Sequence, residues 1–169
     1  MTNHIVLYQP EIPANTGNIA RTCAGTDTHL HLIRPLGFKT DDKHLKRAGL
    51  DYWNNVAITY HDDLESFMAY LNDRPLFLVS KFAHYGYTDI DYTSYDEDLF
   101  FMFGRETTGL PEDFMREHEQ QCIRIPQDDT KIRCLNLSNS AAIVIYEVLR
   151  QQAFPHLERT HHYANDKLD

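Results

Sequence analysis

Two short polar segments place groups that can bind or polarise a ligand directly after apolar runs. Residues 15–21 read N-T-G-N-I-A-R, so that an asparagine and an arginine lie within two helical turns of each other. Residues 103–111 read F-G-R-E-T-T-G-L-P, in which Gly104 permits close backbone approach and Glu106 supplies a carboxylate. Taken alone, the first segment favours a capped helix start, and the second suits either a ligand site or a strand–turn–helix connection that needs two glycines.

A third polar segment, N-L-S-N-S at residues 136–140, precedes a long apolar helix and carries two amides and two hydroxyls. A helix N-cap requires only one such side chain, so the cluster favours a ligand site. Simpler roles remain open for individual residues. Asn15 can cap the helix that follows it, Asn136 or Ser138 can cap the last helix, and Arg21 can form a surface salt bridge.

Apolar strands and helices alternate along the chain, which predicts an α/β domain with a mostly parallel sheet and helices on both faces. We predict strands at residues 4–10, 29–35, 56–61, 75–82, 99–104 and 122–126, and helices at residues 17–26, 41–50, 62–71, 111–119 and 137–152. Parallel sheets bind ligands beyond the carboxyl ends of their strands, where all three polar segments and residues 78–81 fall. We expect one domain over residues 1–155 and a polar tail over residues 156–169.

Composition excludes several classes of protein. The net charge of −9 argues against a general electrostatic binder of nucleic acid, although Lys43, Lys46 and Arg47 form a local basic group on one predicted helix. The three cysteines are scattered and no export signal begins the chain, which indicates a cytoplasmic protein. No apolar run is long enough to cross a membrane, and no spacing predicts a metal site. The phosphate-binding patterns GxGxxG and GxxxxGK[ST] are absent.

The last predicted helix is apolar nearly all round. From Ala141 to Leu149 only Glu147 is charged, so the helix must be buried in the core or in a contact between subunits. Because the last helix of a small domain is seldom enclosed on all sides, we expect a homodimer with this helix partly in the contact.

Taken together, the three segments resemble the three motifs of the SPOUT RNA methyltransferases. The matching patterns are N-x-G-N-I-x-R at residues 15–21, F-G-x-E-x-x-G-L-P at residues 103–111, and I-P followed by N-L-S-N within residues 125–139. The similarity spans residues 4–154 and is greatest with the TrmL (YibK-like) tRNA 2′-O-methyltransferases. It implies a deep trefoil knot near the C-terminus and S-adenosyl-L-methionine as the cofactor.

The resemblance also implies roles for individual residues. Arg21 would act at the ribose hydroxyl, with Asn15 and Glu106 beside it. Independently of the resemblance, Lys43, Lys46 and Arg47 lie on one predicted helical face, which suits either contacts to RNA phosphates or a plain solvated surface. The implied cofactor contacts are Leu78, Gly104, Ile125, Cys134, Asn136 and Ser138. The implied substrate is the wobble nucleotide 34, cytidine or a modified uridine, of tRNA-Leu species. Three alternatives stay open: another tRNA or rRNA site, a non-catalytic RNA-binding knotted protein, and a flavodoxin-like carrier.

Overall fold

The chain forms one seven-stranded sheet. The computed structural model describes residues 1–41, 43, 45, 47, 52–165 and 167–168. The strands are β1 (Asn3–Tyr8), β2 (His29–Ile33), β3 (Ile58–His61), β4 (Leu76–Val79), β5 (Tyr85–Gly86), β6 (Leu99–Phe103) and β7 (Cys122–Arg124). The helices are α1 (Pro13–Thr26), α2 (Leu64–Leu71), α3 (Glu112–Glu117) and α4 (Leu137–Gln151), with 3₁₀ turns at Tyr92–Ser94 and Glu119–Gln121.

The strand order is β3-β2-β1-β6-β4-β7-β5, and all neighbouring strands pair in parallel. All six predicted strands and the parallel arrangement are therefore confirmed. The prediction missed β5, which has only two residues and so cannot show an apolar pattern.

Alternate residues of the central strands pack on opposite faces of the sheet. In β1, Ile5 and Leu7 join a core beneath α1 and α4, whereas Val6 joins a second core beneath α2 and α3. In β6, Phe101 and Phe100 divide between the two cores in the same way. Strands buried on both faces explain the continuous apolar runs, and the prediction of helices on both faces is confirmed.

The central pair, β1 and β6, joins two distant parts of the chain. Asn3 pairs with Leu99 and Leu7 with Phe103, so the carboxyl ends of both strands reach the same edge of the sheet. The loops that follow them carry the first two polar segments. The pairing therefore brings residues 11–15 beside residues 104–109.

The start of α1 differs from the prediction. Asn15 is not the N-cap, because the helix begins at Pro13 and the capping position is Ile12, which makes no side-chain capping hydrogen bond. Proline suits the first position of a helix because it lacks an N–H group. Asn15 is 7% exposed and lies in the first turn of α1, so its side chain is available for contacts other than capping.

Part of the predicted helix over residues 41–50 lies outside the described residues, and so does Lys46. Lys43, Leu45 and Arg47 are helical, with Leu45 buried and both basic side chains exposed. The described residues beyond Pro155 lie outside helices and strands. Across the described ranges, no helix has both the length and the apolar character needed to cross a membrane.

A group of buried histidines lies beneath α2 and was not predicted. His4 Nδ1 is 2.8 Å from His31 Nε2, and His31 Nδ1 is 2.9 Å from His61 Nε2. His4 Nε2 faces Asp98 Oδ2 at 3.4 Å. His29 stacks on His31 and bonds Thr59 Oγ1. The register that pairs His4 with His29 creates the group, and sequence spacing does not reveal that register.

When His4, His31 and His61 are all neutral, the hydrogen bonds determine which nitrogen of each ring carries the proton. The ionised carboxylate of Asp98 only accepts, so His4 carries its proton on Nε2 and accepts on Nδ1. His31 must then donate from Nε2 to His4, and His61 must donate from Nε2 to His31. The ring nitrogens of His4, His29 and His31 also lie within 4.8 Å of one another. The hydrogen bonds already occupy both nitrogens of His4 and of His31.

The histidine group should make the fold sensitive to mild acid. Burial, reinforced by the neighbouring histidines, lowers the pKa of His4 to about 4 and that of His31 to about 2. The unfolded chain binds these protons near pH 6.5, so stability is complete above that pH and is lost as the pH falls below it. We expect the free energy of unfolding to fall by about 1.4 kcal/mol per pH unit for each histidine held neutral.

Denaturant unfolding at several values between pH 7.5 and about pH 5 measures this slope in a range where ordinary carboxylates are still mostly ionised. His31→Phe should give a shallower slope, because one neutral buried ring is removed. His84→Gln is the control, since the side chain of His84 is 76% exposed. A wild-type stability that stays flat between pH 7 and 5 would contradict the expectation.

Candidate active site

Asn15 connects the three polar segments. Its Nδ2 donates to Glu106 Oε1 at 3.4 Å, and its Oδ1 accepts from Asn136 Nδ2 at 3.1 Å. One buried amide therefore joins the loop after β6 to the segment that opens α4. Asn15 sits in the first turn of α1, so the position of that helix determines where these loops meet.

Glu106 caps α1 from a different loop. Its carboxylate accepts from the backbone N–H of Glu11 at 2.8 Å and from that of Ile12 at 3.0 Å. These donors immediately precede Pro13, where a negative charge also favours the helix dipole. Glu106 therefore caps the start of α1, the role that the sequence suggested for Asn15.

A second carboxylate joins the same loops in the reverse direction. Glu11 accepts from Thr107 Oγ1 at 2.8 Å and from Arg105 Nε at 2.8 Å. The hydrogen bond from Thr107, followed by that from Arg105, lowers the pKa of Glu11. Glu11 and Thr107 were not predicted as site residues, because the sequence does not show that β1 and β6 pair and so bring their loops together.

Asn136 has two roles at the start of α4. Its Oδ1 accepts from the backbone N–H of Asn139 at 3.1 Å, so it is the N-cap, as one of the two alternatives predicted. The hydroxyl of Ser138 also donates to Asn136 Oδ1, at 2.6 Å. These two hydrogen bonds fix the side-chain amide of Asn136, so that its Nδ2 points at Asn15.

These loops surround a cavity of about 640 Å³ at the carboxyl edge of the sheet. Its walls come from the ends of β4 and β6, the loop that follows β7, and the segment before α4. Among the predicted residues, the cavity is lined by Asn15, Gly104, Glu106, Ile125, Cys134 and Asn136. Apolar walls with a few converging polar groups are typical of a small-molecule site.

Two glycines shape the mouth of this cavity. A Cβ on Gly104 would lie 2.3 Å from the carbonyl carbon of Gly109 and 2.4 Å from the nitrogen of Leu110. Gly109 has φ +71°, a left-handed conformation that favours glycine. Arg105 and Gly109 exchange two backbone hydrogen bonds that close the loop. The predicted close backbone approach at Gly104 occurs, although the group it approaches is the chain itself.

Arg21 does not line this cavity. It is exposed on α1, roughly 9 Å along the helix axis from Asn15. Its guanidinium lies 4.9 Å from the centre of the Tyr52 ring, a cation–π contact. Asn15 faces the loops around the cavity, whereas Arg21 faces solvent.

Four other predicted residues also lie away from the cavity walls. Leu78 is fully buried in the core beneath α2 and α3, and its neighbour Val79 lines the cavity instead. Ser138 does not line the cavity but donates a hydrogen bond to Asn136, which does. Lys43 and Arg47 are exposed and outside the cavity.

Residues 2–146 match the SpoU rRNA Methylase family. The chain belongs to this family. A Lactobacillus gasseri member, provisionally named RNA (cytidine(34)-2′-O)-methyltransferase, is 60% identical over 170 residues, or 99% of this chain and 91% of the relative. The tRNA (cytidine(34)-2′-O)-methyltransferase of Methylovorus glucosotrophus is 46% identical over 154 residues, or 89% of this chain and 96% of the relative.

Solved structures of SpoU-type proteins share the fold. One, described as "Structural insights into the 2-OH methylation of C/U34 on tRNA", is 38% identical with a TM-score of 0.83. The match covers 90% of this chain and 97% of the solved chain. AviRb from Streptomyces viridochromogenes, solved with AdoMet, is 20% identical with a TM-score of 0.78, covering 89% of this chain and 57% of its own. The latter likeness concerns the fold alone.

Proposed function

We propose that this protein transfers a methyl group from S-adenosyl-L-methionine to the ribose 2′-OH of nucleotide 34 of tRNA. The observation that carries the proposal is the junction of the three motifs through Asn15 at one cavity. The names of the SpoU-family relatives supply the nucleotide. The finer assignment, cytidine or a modified uridine in tRNA-Leu species, rests on the resemblance to the TrmL branch.

The cavity suits S-adenosyl-L-methionine in size and lining. About 640 Å³ lies within the range of pockets for ligands of this size. Gly104, Ile125, Cys134 and Asn136 would hold the cofactor, and Leu78 and Ser138 would support them from behind. The cofactor supplies an activated methyl group on a sulfonium, so the protein mainly has to position the hydroxyl and remove its proton.

Arg21 is our candidate for the residue at the 2′-OH. A guanidinium has five donors and no acceptor, so it serves as a base only if its environment is strongly altered. The second role is to hold a phosphate and polarise the hydroxyl while another group takes the proton. Asn15 and Glu106 would act by fixing the loops around the cavity, since their hydrogen bonds are to those loops.

A homodimer would resolve the separation of Arg21 from the cavity. The helix α4 buries Val144 and Val148 but leaves Ile143 37% and Tyr146 50% exposed. We propose that this exposed face and the adjoining face of α1 form the contact, so that Arg21 of one subunit serves the cavity of the other. Lys43, Lys46 and Arg47 would then contact tRNA phosphates.

Three further features belong to the proposal, and only the knot follows from the resemblance. The first is a deep trefoil knot near the C-terminus, with a single domain over residues 1–155 and a polar tail over residues 156–169. The second is a cytoplasmic location, which suits a tRNA substrate. The third is independence from any metal.

Transfer of labelled methyl groups tests the proposed function. The purified protein is incubated with labelled S-adenosyl-L-methionine and unmodified tRNA, and nucleosides are identified by mass spectrometry. We expect 2′-O-methylcytidine or its uridine counterpart at position 34 of tRNA-Leu. Methylation confined to rRNA, or no methylation of any RNA, would refute the assignment.

A further inference from the structure

A second cavity of about 580 Å³ opens beside the first. Lys81, Phe82 and Arg133 line both cavities, so they form the wall between them. The other lining residues of the second cavity are Arg124, Asp129, Thr130, Lys131 and Ile132. A group bound in the second cavity would therefore lie next to the contents of the first.

The second cavity is positively charged in a protein whose net charge is −9. Four basic side chains line it against one acidic residue, Asp129, which pairs with Arg124 at 2.7 Å. Lys81 Nζ donates to the backbone carbonyl of Arg133 at 3.1 Å, and Arg133 donates to the carbonyl of Thr107 at 3.2 Å. Neither has a carboxylate within 4.0 Å among the described residues, so both charges are available to an anion.

Phe82 adds an exposed aromatic ring to this cavity. It is 70% exposed, and Lys81 Nζ lies 5.1 Å from the centre of its ring. Aromatic rings beside cations bind unpaired nucleotides, because the base stacks on the ring while the cations contact the phosphates. Paired bases cannot stack in this way, since both of their faces are already covered.

We propose that Phe82 stacks on an unpaired base of the RNA substrate, with Lys81, Lys131 and Arg133 at the adjoining phosphates. Because the two cavities share a wall, this nucleotide lies next to the cofactor cavity, at which the methylated ribose must also arrive. The inference rests on the proposed function and identifies the ligand feature recognised, an unpaired loop. Lys131 pairs with Asp128 at 3.3 Å, and the RNA phosphate would compete for this exposed lysine.

The test compares Phe82→Ala with the matched Phe82→Tyr, which keeps the ring. Affinity is measured for an anticodon stem-loop oligonucleotide and for a fully paired duplex of the same length. We expect Phe82→Ala to bind the stem-loop about 5- to 150-fold more weakly. Phe82→Tyr should bind it as the wild-type protein does, and the duplex should bind equally to all three proteins.

The salt dependence of binding tests the phosphate contacts separately. Lys81→Gln should lower the slope of log K against log salt concentration by about 0.7, the value for one phosphate of a single strand. Arg159→Gln is the control, because Arg159 is exposed in the tail, and its slope should match that of the wild type. An unchanged slope in Lys81→Gln would remove the phosphate part of the inference.

The outcomes separate this inference from the proposed function. If the wild type methylates tRNA but Phe82→Ala binds the stem-loop normally, the stacking inference is overturned while the proposed function stands. An equal loss on the stem-loop and the duplex also overturns it. If binding depends on Phe82 but no methyl group is transferred, the inference stands and the proposed function fails.

Discussion

Arg21→Ala is expected to lower methyl transfer to tRNA by about 10²- to 10⁴-fold, the range for loss of a group that polarises or deprotonates the attacking hydroxyl. Cofactor binding should be unchanged, because Arg21 does not line the cavity. Arg21→Lys should retain part of the activity, since lysine keeps the charge but loses the planar fork of donors. Single-turnover transfer of labelled methyl and calorimetric titration of the cofactor measure the two effects.

The control for this prediction is Arg116→Ala on α3. The side chain of Arg116 is 71% exposed and pairs with Glu112, so it matches Arg21 in type and exposure but lies on another helix. Its activity should equal that of the wild type. If Arg21→Ala turns over normally, both proposed roles of Arg21 fail.

Mixed dimers show whether Arg21 acts across the subunit contact. Arg21→Ala and a cofactor-site variant are each inactive alone, but a dimer of the two has one complete site if the residues come from different subunits. Random mixing should restore about a quarter of the wild-type activity, because half of the dimers are mixed and each has one of its two sites. No recovery in verified mixed dimers would place Arg21 and the cavity of one subunit in the same site.

Gly104→Ala is expected to abolish cofactor binding and to destabilise the fold by about 1–3 kcal/mol. The added Cβ would lie 2.3 Å from the backbone of Gly109, which cannot yield without opening the loop that Arg105 and Gly109 close. Displacing this loop also displaces Glu106, and with it the cap of α1. Denaturant unfolding and cofactor titration measure the two losses.

Gly25→Ala provides the matched control. Gly25 lies in α1, and a Cβ added there meets nothing within 4 Å. Alanine favours a helix over glycine by roughly 0.5–1 kcal/mol, so this variant should be as stable as the wild type or more so. A Gly104→Ala protein that unfolds and binds cofactor as Gly25→Ala does would show that the loop is not closed as described.

The sequence predicted the layers of the fold because their signals are local. Apolar runs such as Leu99–Phe103 indicate strands buried on both faces, and Leu64, Phe67, Met68 and Leu71 mark the buried face of α2. It could not predict what depends on the pairing of distant strands. Glu106 replaces Asn15 as the cap of α1 only because β1 and β6 are neighbours, and the histidine group exists only because His4 is paired with His29.

The candidate site was predicted in part for the same reason. Gly104, Glu106 and Asn136 follow strands or precede a helix, positions that converge at one edge of a parallel sheet. Arg21 does not line the cavity at that edge, and helical spacing alone does not show which side of α1 it occupies. Phe82 gave no signal, because one exposed phenylalanine after a strand has no distinctive pattern.

The pairing of β1 with β6 also bears on folding during synthesis. As the chain leaves the ribosome, Asn3–Tyr8 can pair at once with β2, but its other edge must wait for Leu99–Phe103. About 70 residues separate the end of β2 from the end of β6, so at 5–20 residues per second that delay is roughly 4–14 s. Throughout it the nascent protein carries an apolar strand with one open edge, which is a target for chaperones and for aggregation. Removal of the chaperones that bind nascent chains at the ribosome should therefore reduce the yield of folded protein more than it does for a helical protein of the same length.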